Sequence, residues 1–191
     1  MADLLPTPRA VAVALAALAS AVSGTSDLPV ASDAQRQHLH ALATTMYGYR
    51  SQLDYPPGDR RDGRDSYSFH LTEQQALHVL HDGGRLQFDC SEFDAWLLKC
   101  SGLWPWSSPG YTGSHLASLP HYSDPRAAFV GALVVFGPGT GHHEAMVYTP
   151  DPKGGNPMCV SHGRPGLDIM RLKDIARFQP PGVTMLSIAH L

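Results

Sequence analysis

The sequence contains the stretch FDCSEF at residues 88–93, where a short loop runs into an amphipathic helix that ends near Gly102. Cys90 therefore stands at the start of this helix. A thiol in this position faces unpaired backbone N–H groups and the positive end of the helix dipole, and both favour the thiolate. Because the thiolate is the nucleophilic form of cysteine, we interpret Cys90 as a candidate nucleophile.

Two histidine-bearing segments follow, GHHEAMVY at residues 141–148 and CVSHG at residues 159–163, and both are predicted to be strands. Side chains alternate between the two faces of a strand. His143 therefore lies on the face that carries the smaller apolar residues of its strand, and His142 lies on the opposite face. Because a face that packs beneath a helix should carry small apolar residues, we expect His143 rather than His142 to point toward Cys90.

A second histidine, His162, completes a possible relay. If the two strands pair, His162 is expected beside His143 on the same face. In such a relay Cys90 attacks a carbonyl carbon, and His143 takes the thiol proton and returns it to the leaving amine. His162 then orients His143 through a hydrogen bond from a ring N–H group. The backbone N–H groups of Cys90 and Ser91 are the expected oxyanion donors. A cysteine on a helix start, followed by two strand-borne histidines, is the layout of a cysteine hydrolase.

Composition and charge restrict the classes of function. The chain has 191 residues, of which 43% are hydrophobic, and this is enough for one domain with a buried core and an extension. A net charge of −3 gives no case for nucleic-acid binding, which usually requires a basic face. Three cysteines cannot pair completely, so no disulfide framework is expected. The 11 histidines include no H-E-x-x-H spacing of a zinc peptidase.

The first 31 residues are predicted to be separate from a domain at residues 32–191. Residues 11–22 form an almost unbroken Ala/Val/Leu run that is too short to span a bilayer. Two interpretations remain open for this run. It is either a buried or interface helix, or a signal-like or membrane-associating segment with a cleavage-like site at residues 19–21.

Within the domain, helices are predicted first and strands second. One helix is capped by Ser32 or Asp33 and runs to about Tyr47, and a capping box at residues 72–75 opens a second helix that stops at Gly83. Loops are predicted at residues 49–65 and 102–124. A continuous apolar run at residues 129–136 predicts a central strand covered on both faces, and further strands are predicted at residues 144–149, 158–161, 167–172 and 183–189. This order indicates an α+β protein with an antiparallel sheet.

Three motifs in register resemble those of the NlpC-type family of papain-like cell-wall cysteine peptidases. They are DCSEF at residues 89–93, GALVVF at residues 131–136 and GHHEAMVY at residues 141–148. The resemblance covers roughly residues 55–172. It implies a papain-like, NlpC-type fold in which the cysteine helix packs on a small antiparallel β-sheet, here with an N-terminal helical extension. It also implies a catalytic triad of Cys90 as nucleophile, His143 as base and His162 as the third member.

The resemblance implies a peptidoglycan hydrolase, similar to a phage endolysin, that cleaves an amide bond of the stem peptide. In this family the bond is commonly that between γ-D-glutamate and a diamino acid. No metal or other cofactor is implied. We expect a monomer with no stable membrane span and no nucleic-acid partner, which acts on peptidoglycan in the bacterial cell wall after phage delivery or secretion.

Several aromatic residues are expected to contact the substrate. Tyr55 and Tyr111 are similar to residues that flank the cysteine in phage lysins, and Trp106 lies in an aromatic loop that follows the cysteine helix. Many relatives carry a tyrosine about a dozen residues before the cysteine, where this chain has His78, and Tyr55 is the candidate to replace it.

The chain also departs from the family pattern at two other positions. Glu92 stands where relatives have glycine after Asp-Cys-Ser, and Glu144 follows His143 where relatives have an apolar residue. These departures leave the three expected catalytic residues in place and bear on the choice of substrate.

Two alternative functions remain open. The first is an N-acetylmuramoyl-L-alanine amidase of the related papain-like amidase group, which would use the same three residues. The second is a non-catalytic wall-binding or virion module that keeps the fold. In that case the aromatic loop at residues 104–122 would stack on sugars without any chemistry.

Overall fold

The computed structural model of the chain describes residues 30–56, 66–104 and 106–188. The apolar run at residues 11–22, and with it the choice between a helix and a signal-like segment, lies outside the described residues.

Helices form one part of the fold and flank its sheets. They are α1 (Asp33–Gly48), α2 (Tyr67–His70), α3 (Glu73–His81), α4 (Cys90–Cys100), α5 (Thr112–Ser118) and α6 (Leu172–Ala176), with single turns of 3-10 helix at Arg50–Gln52 and Pro125–Ala127.

Two sheets make up the rest of the described structure. The strands are β1 (Leu53–Asp54), β2 (Leu86–Gln87), β3 (His121–Tyr122), β4 (Leu133–Phe136), β5 (His143–Thr149), β6 (Met158–Gly163), β7 (Gly166–Arg171) and β8 (Val183–Leu186). The larger sheet has the order β3-β8-β4-β5-β6-β7 and all of its pairs are antiparallel, whereas β1 and β2 form a short parallel pair. The protein is therefore α+β, as predicted.

The starts of α1 and α3 follow from capping boxes, of which the sequence predicts the one at residues 72–75. Ser32 caps α1 and Thr72 caps α3, and in each case a glutamine three residues later bonds back to the backbone of the cap residue. This arrangement satisfies two backbone groups that a helix end otherwise leaves unpaired. Both predicted helices are confirmed, and of the two cap residues left open for α1 the structure shows Ser32.

The central strand is shorter than predicted. The apolar run at residues 129–136 becomes a strand only from Leu133, and all four residues of β4 are buried, as expected for a strand covered on both faces. Before it, Gly131 adopts a positive φ of 96°, and a Cβ atom there would lie 2.8 Å from the Leu39 side chain on α1. The run is therefore broken at a turn that only glycine fits easily.

Two segments predicted to be loops contain regular structure. Residues 102–124 include α5 and β3, and residues 49–65 include β1. The strand β1 has two residues and exists because it pairs with β2, more than 30 residues further along the chain. Such short elements depend on distant partners and carry no periodic pattern of their own, so the local sequence does not reveal them.

The cysteine helix α4 is buried on almost every side. Phe93, Trp96 and Leu97 are fully buried as predicted, and Cys100 is half-buried. The helix lies between α1 and β5, and the rings of Phe88, Phe93 and Trp96 pack together within 5.6 Å at its first turns. This packing fixes the start of α4 against the sheet. None of the helices in the described part of the chain combines the length and hydrophobicity needed to cross a membrane.

Candidate active site

Cys90 is the first residue of α4, and a third capping box fixes its position. Asp89 caps the helix by accepting a hydrogen bond of 2.8 Å from the backbone N–H of Glu92, and the Glu92 carboxylate accepts one of 3.2 Å from the N–H of Asp89. The hydroxyl of Ser91 donates to the Asp89 carboxylate at 3.0 Å. The Ser91 side chain is therefore committed to the cap and is not directed at a substrate.

Two groups from other parts of the chain surround the Cys90 sulfur. The hydroxyl of Tyr55 lies 3.9 Å from the sulfur and also within hydrogen-bonding reach of the backbone N–H of Cys90. The backbone N–H of Glu144 faces the sulfur from the start of β5. Because this amide is joined directly to the carbonyl carbon of His143, the thiol lies beside the chain position that carries the predicted base.

The Cys90 thiol does not favour ionisation in the free protein. Burial raises its pKa well above its ordinary range, and the negative charges of Asp89 and Glu144 raise it further, although the N–H group of Glu144 acts in the opposite direction. The prediction that the helix start favours a thiolate is therefore wrong for the free protein. The physical reason is that the thiol is only 7% exposed and that the helix start is already occupied by a capping carboxylate.

His143 is buried at the start of β5, and its ring is held from the next strand. Its Nε2 atom forms a hydrogen bond of 2.7 Å with the hydroxyl of Ser161 on β6. Burial lowers the pKa of His143 to about 4, and the nearby charge of His162 contributes to the same shift. At neutral pH the imidazole is therefore uncharged and able to accept a proton. His142 precedes the strand and is exposed.

The register of β5 and β6 separates the two predicted histidines. Met146 pairs with Val160, so these two side chains share a face of the sheet. Alternation along each strand then puts Glu144 and His162 on that face, and His143 with Ser161 on the other.

The hydrogen bond predicted between His143 and His162 is therefore absent among the described residues. The Nε2 atom of His162 donates instead to the backbone oxygen of Asp54 at 3.3 Å, and the backbone of Phe88 also interacts with this ring. The register of two paired strands does not follow from the sequence alone, and a shift of one residue reverses which side chains share a face.

The helix also meets the sheet on a different face from the one predicted. Phe93 of α4 packs against the ring of His162, with ring centroids 5.3 Å apart. The helix therefore contacts the face that carries Glu144 and Met146, and the expectation that it lies over the small residues beside His143 is wrong. Tyr55 also contacts the His162 ring at 5.7 Å, so His162 lies close to the thiol while it bonds to the backbone.

Ser161 is the site residue that the sequence argument missed. It immediately precedes His162 and occupies the place that was expected for that histidine, beside the Nε2 atom of His143. A serine in a strand carries little signal alone, and only the register identifies it.

A cavity of about 960 Å³ opens beside these residues. His143, Ser161 and Tyr55 form part of its wall, together with Arg50 and Arg164. The Tyr55 hydroxyl contacts the Cys90 sulfur, and the backbone N–H of Glu144, the residue after His143, faces the same sulfur. The Cys90 thiol therefore lies directly behind this wall.

The other two predicted substrate contacts lie elsewhere. Trp106 is 38% exposed and packs edge-on against Trp104, and Tyr111 lies against Gly113 beside Thr140. Neither is among the described residues that line the cavity. The aromatic loop and the His143 cavity are therefore separate features.

A buried charged cluster lies behind the thiol. Glu144 accepts a hydrogen bond of 2.8 Å from Nδ1 of His115 on α5, and Nε2 of His115 lies 2.7 Å from the backbone oxygen of Pro109. Since both ring nitrogens face acceptors, His115 is a charged imidazolium, and the Glu144 carboxylate raises its pKa against the opposing effect of burial. Asp94 is also fully buried, and neither of its oxygens has a partner among the described residues.

No group of three or more histidine, cysteine, aspartate or glutamate side chains within the described ranges is arranged to hold a metal ion. The Cys90 thiol instead lies beside hydrogen-bond donors, and one of these, the backbone N–H of Glu144, belongs to the residue that follows His143.

No protein-family model matches the sequence, and no curated protein matches it.

Proposed function

We propose that the protein is a cysteine hydrolase that cleaves an amide bond in the stem peptide of peptidoglycan, with Cys90 as nucleophile and His143 as base. One observation carries the proposal. The sulfur of Cys90, at a helix start, lies beside the backbone amide that follows His143, and Ser161 holds the far nitrogen of the His143 ring.

The protonation states of the free site define the first chemical step. A buried neutral thiol and a neutral imidazole exchange a proton only as the sulfur forms its bond to the substrate carbon. His143 takes that proton, and the resulting imidazolium gives it to the nitrogen of the leaving amine as the C–N bond breaks. Water then hydrolyses the thioester on Cys90, with His143 again acting as base.

The oxyanion of the tetrahedral intermediate requires donors near the sulfur. The backbone N–H of Cys90 is one, and the Tyr55 hydroxyl, which already lies close to this N–H, is the second. This role gives Tyr55 the function of the tyrosine that the family resemblance places near the substrate and that His78 replaces in this chain.

Ser161 supplies the orientation that was expected from His162. When Nε2–H of His143 donates to the Ser161 oxygen, Nδ1 carries the lone pair and can accept the thiol proton. His162 in turn supports the site from behind, through its contacts with Tyr55 and with Phe93.

The substrate and the papain-like assignment rest on the sequence resemblance. The α+β architecture, with a cysteine helix against an antiparallel sheet, is compatible with a papain-like, NlpC-type fold. Peptidoglycan is the substrate of the proteins that the three motifs resemble.

The proposal is tested with purified bacterial cell walls. The wild-type protein is expected to reduce their turbidity, and the variants Cys90→Ala and His143→Ala are expected to be inactive. Cys100→Ala is the matched control, because Cys100 lies at the other end of the same helix and is expected to be dispensable. Equal clearing by Cys90→Ala and the wild type would remove Cys90 from the mechanism.

Mass spectrometry of the released fragments separates the alternatives. Trimmed stem peptides indicate an endopeptidase, whereas free lactyl ends on the sugar indicate an amidase. If the wild type binds walls but releases no fragment, the protein is a wall-binding module and the proposal of hydrolysis is wrong.

The role of Ser161 has its own test. Ser161→Ala is expected to lower kcat about tenfold with little change in KM and to shift the acid limb of the pH profile, and Ser161→Thr is expected to restore both. An unchanged pH profile in Ser161→Ala would show that the hydroxyl does not orient the base.

A further inference from the structure

A third buried histidine, His115, lies behind the Cys90 thiol and is held from two sides. Its side chain is 3% exposed, and its Nδ1 atom donates to both carboxylate oxygens of Glu144, at 2.8 and 3.0 Å. Its Nε2 atom donates to the backbone oxygen of Pro109 at 2.7 Å. A neutral imidazole carries only one N–H group, so the charged form alone makes both sets of hydrogen bonds at once.

The loop before α5 fixes the orientation of this ring. Gly110 adopts a positive φ of 68°, and a Cβ atom there would lie 2.9 Å from Nε2 of His115, so the loop passes against the ring more closely than a side chain allows. The ring of Trp104 meets the imidazole edge-on, with ring centroids 5.0 Å apart. The packing therefore keeps Nδ1 directed at Glu144.

Glu144 connects the imidazole of His115 to the thiol. The backbone N–H of Glu144 faces the Cys90 sulfur, while the negative charge of its carboxylate disfavours the thiolate. The His115 imidazolium offsets this charge, because the two groups form an ion pair from which water is excluded. When His115 loses its proton, the carboxylate charge acts on the sulfur in full, and the thiolate becomes harder to form.

We propose that His115 is a positioning residue of the Cys90 site, and that its positive charge, acting through Glu144, controls how readily the thiol ionises. A rise in pH then has two opposed effects on Cys90. It draws the proton from the thiol, and it also removes the compensating charge of His115. The reactivity of Cys90 is therefore expected to rise less steeply with pH once His115 has titrated. This inference rests on the proposed function only in taking Cys90 as the reacting group.

Other titratable groups also lie around the thiol and the imidazole. Asp89, the capping carboxylate of α4, acts on both, and Tyr55 contacts the sulfur. His143 and His162 lie on the neighbouring strands β5 and β6. Burial raises the pKa of Tyr55 and lowers the pKa of both histidines, so these three groups titrate outside the range of about pH 7–10 in which His115 is tested.

Asp94 is the group whose titration has to be separated from that of His115. It lies one helical turn after Cys90, is fully buried, and has a pKa that burial raises well above 3.8. The loss of its proton would also place a negative charge near the sulfur. The variant Asp94→Asn removes this titration and leaves the ion pair of His115 with Glu144 in place.

The test measures the rate at which iodoacetamide alkylates Cys90 between about pH 7 and 10, with mass spectrometry of the peptide that contains Cys90. While the thiolate is the minor form and no neighbouring group titrates, the logarithm of this rate rises by about one for each pH unit. In the wild type and in Asp94→Asn, the rate at the upper end of the range is expected to lie about tenfold below this straight line. One neighbouring charge produces an effect of this size.

Glu144→Gln is the variant that removes the effect and keeps the hydrogen bonds. Without the carboxylate, burial keeps His115 neutral, Nε2–H still donates to Pro109, and the glutamine amide donates to Nδ1. The line is therefore expected to stay straight, and the rate at the upper end of the range is expected to exceed that of the wild type. His121→Gln is the control and is expected to behave as the wild type, because His121 is exposed and its ring bonds to the backbone of Leu116.

A straight line for the wild type would overturn the inference, and so would a deviation that disappears in Asp94→Asn or persists in Glu144→Gln. A line that steepens would also overturn it, because the loss of charge would then open the site. Wall clearing separates the inference from the proposed function. If the expected deviation is found but the wild type clears no walls, the role of His115 stands and the hydrolase proposal falls. If walls are cleared but the wild-type line is straight, the hydrolase proposal stands and the role of His115 falls.

Discussion

Replacing Asp94 by asparagine is expected to change the pH dependence of stability in a defined direction. Asp94 lies on α4, is fully buried, and has no hydrogen-bond partner for either oxygen among the described residues. Burial raises its pKa well above the ordinary value of 3.8, and the charges of Glu144 and Asp89 raise it further. The folded protein therefore keeps a proton that the unfolded chain releases above pH 3.8.

The direction and the size of the change in stability with pH follow from this difference in proton binding. Above the unfolded pKa, the folded state binds more protons than the unfolded state. The contribution of Asp94 to stability is complete below that pKa and is lost as the pH rises toward the folded pKa. The loss amounts to about 1.4 kcal/mol per pH unit. The asparagine variant does not titrate at this position. Its free energy of unfolding, measured relative to the wild type, is therefore expected to increase by about 1.4 kcal/mol for each unit of rising pH until the folded pKa is reached.

Stability is measured as the difference between variant and wild type because His143 changes the free energy of unfolding with pH in the opposite direction. Its pKa is lowered from 6.5 to about 4 by burial, so the wild type loses stability as the pH falls through this range. That effect is present in both proteins and cancels in the difference.

The assay is urea unfolding followed by tryptophan fluorescence, since Trp96 is fully buried, between about pH 4.5 and 7.5. Asp174→Asn is the control, because Asp174 forms an exposed ion pair with Arg177 and is expected to contribute little at any pH. A difference between Asp94→Asn and the wild type that stays constant over this range would refute the reasoning, since it would mean that Asp94 titrates alike in the folded and unfolded states.

Three further outcomes are expected for activity. His143→Ala is expected to abolish wall clearing while His142→Ala retains most of it, and an inactive His142→Ala variant would show that the wrong histidine was chosen. The acid limb of kcat/KM is expected near pH 4, because His143 acts as a base only when it is neutral. Activity is therefore lost as the pH falls through the lowered pKa of His143. An acid limb at the ordinary histidine pKa of 6.5 would contradict this. Tyr55→Phe is expected to lower kcat about 100-fold by removing an oxyanion donor, with exposed Tyr67→Phe as the control, and an unchanged kcat would exclude Tyr55 from that role.

The sequence predicts the parts of this fold that local patterns encode. The capping box at Thr72 defines a helix start correctly, Ser32 is one of the two caps predicted for α1, and the apolar run before Gly137 predicts a fully buried strand. These signals depend on neighbours within a few residues. The short elements β1 and α5 escaped prediction because their stability comes from contacts with distant segments.

The candidate site shows the same limit more sharply. Cys90 at a helix start and His143 on a strand follow from spacing and alternation, and both are found there. The partner of His143 does not follow, because it depends on how β5 and β6 are aligned. With Met146 opposite Val160, the residue beside the imidazole is Ser161, and His162 faces the helix instead.

The two acidic residues that depart from the family pattern have structural roles in this protein. Glu92 closes the capping box of α4 and also accepts a hydrogen bond from the backbone N–H of Ser66, so it ties the cysteine helix to the segment before α2. Glu144 forms a buried ion pair with His115, which fixes the chain directly after His143 against α5. Removing one partner of a buried ion pair typically costs about 3–5 kcal/mol, because the other charge remains buried and unpaired. Both glutamates hold the backbone beside a candidate site residue, and neither is among the described residues that line the cavity of His143. The departures therefore bear on how the thiol and the imidazole are positioned.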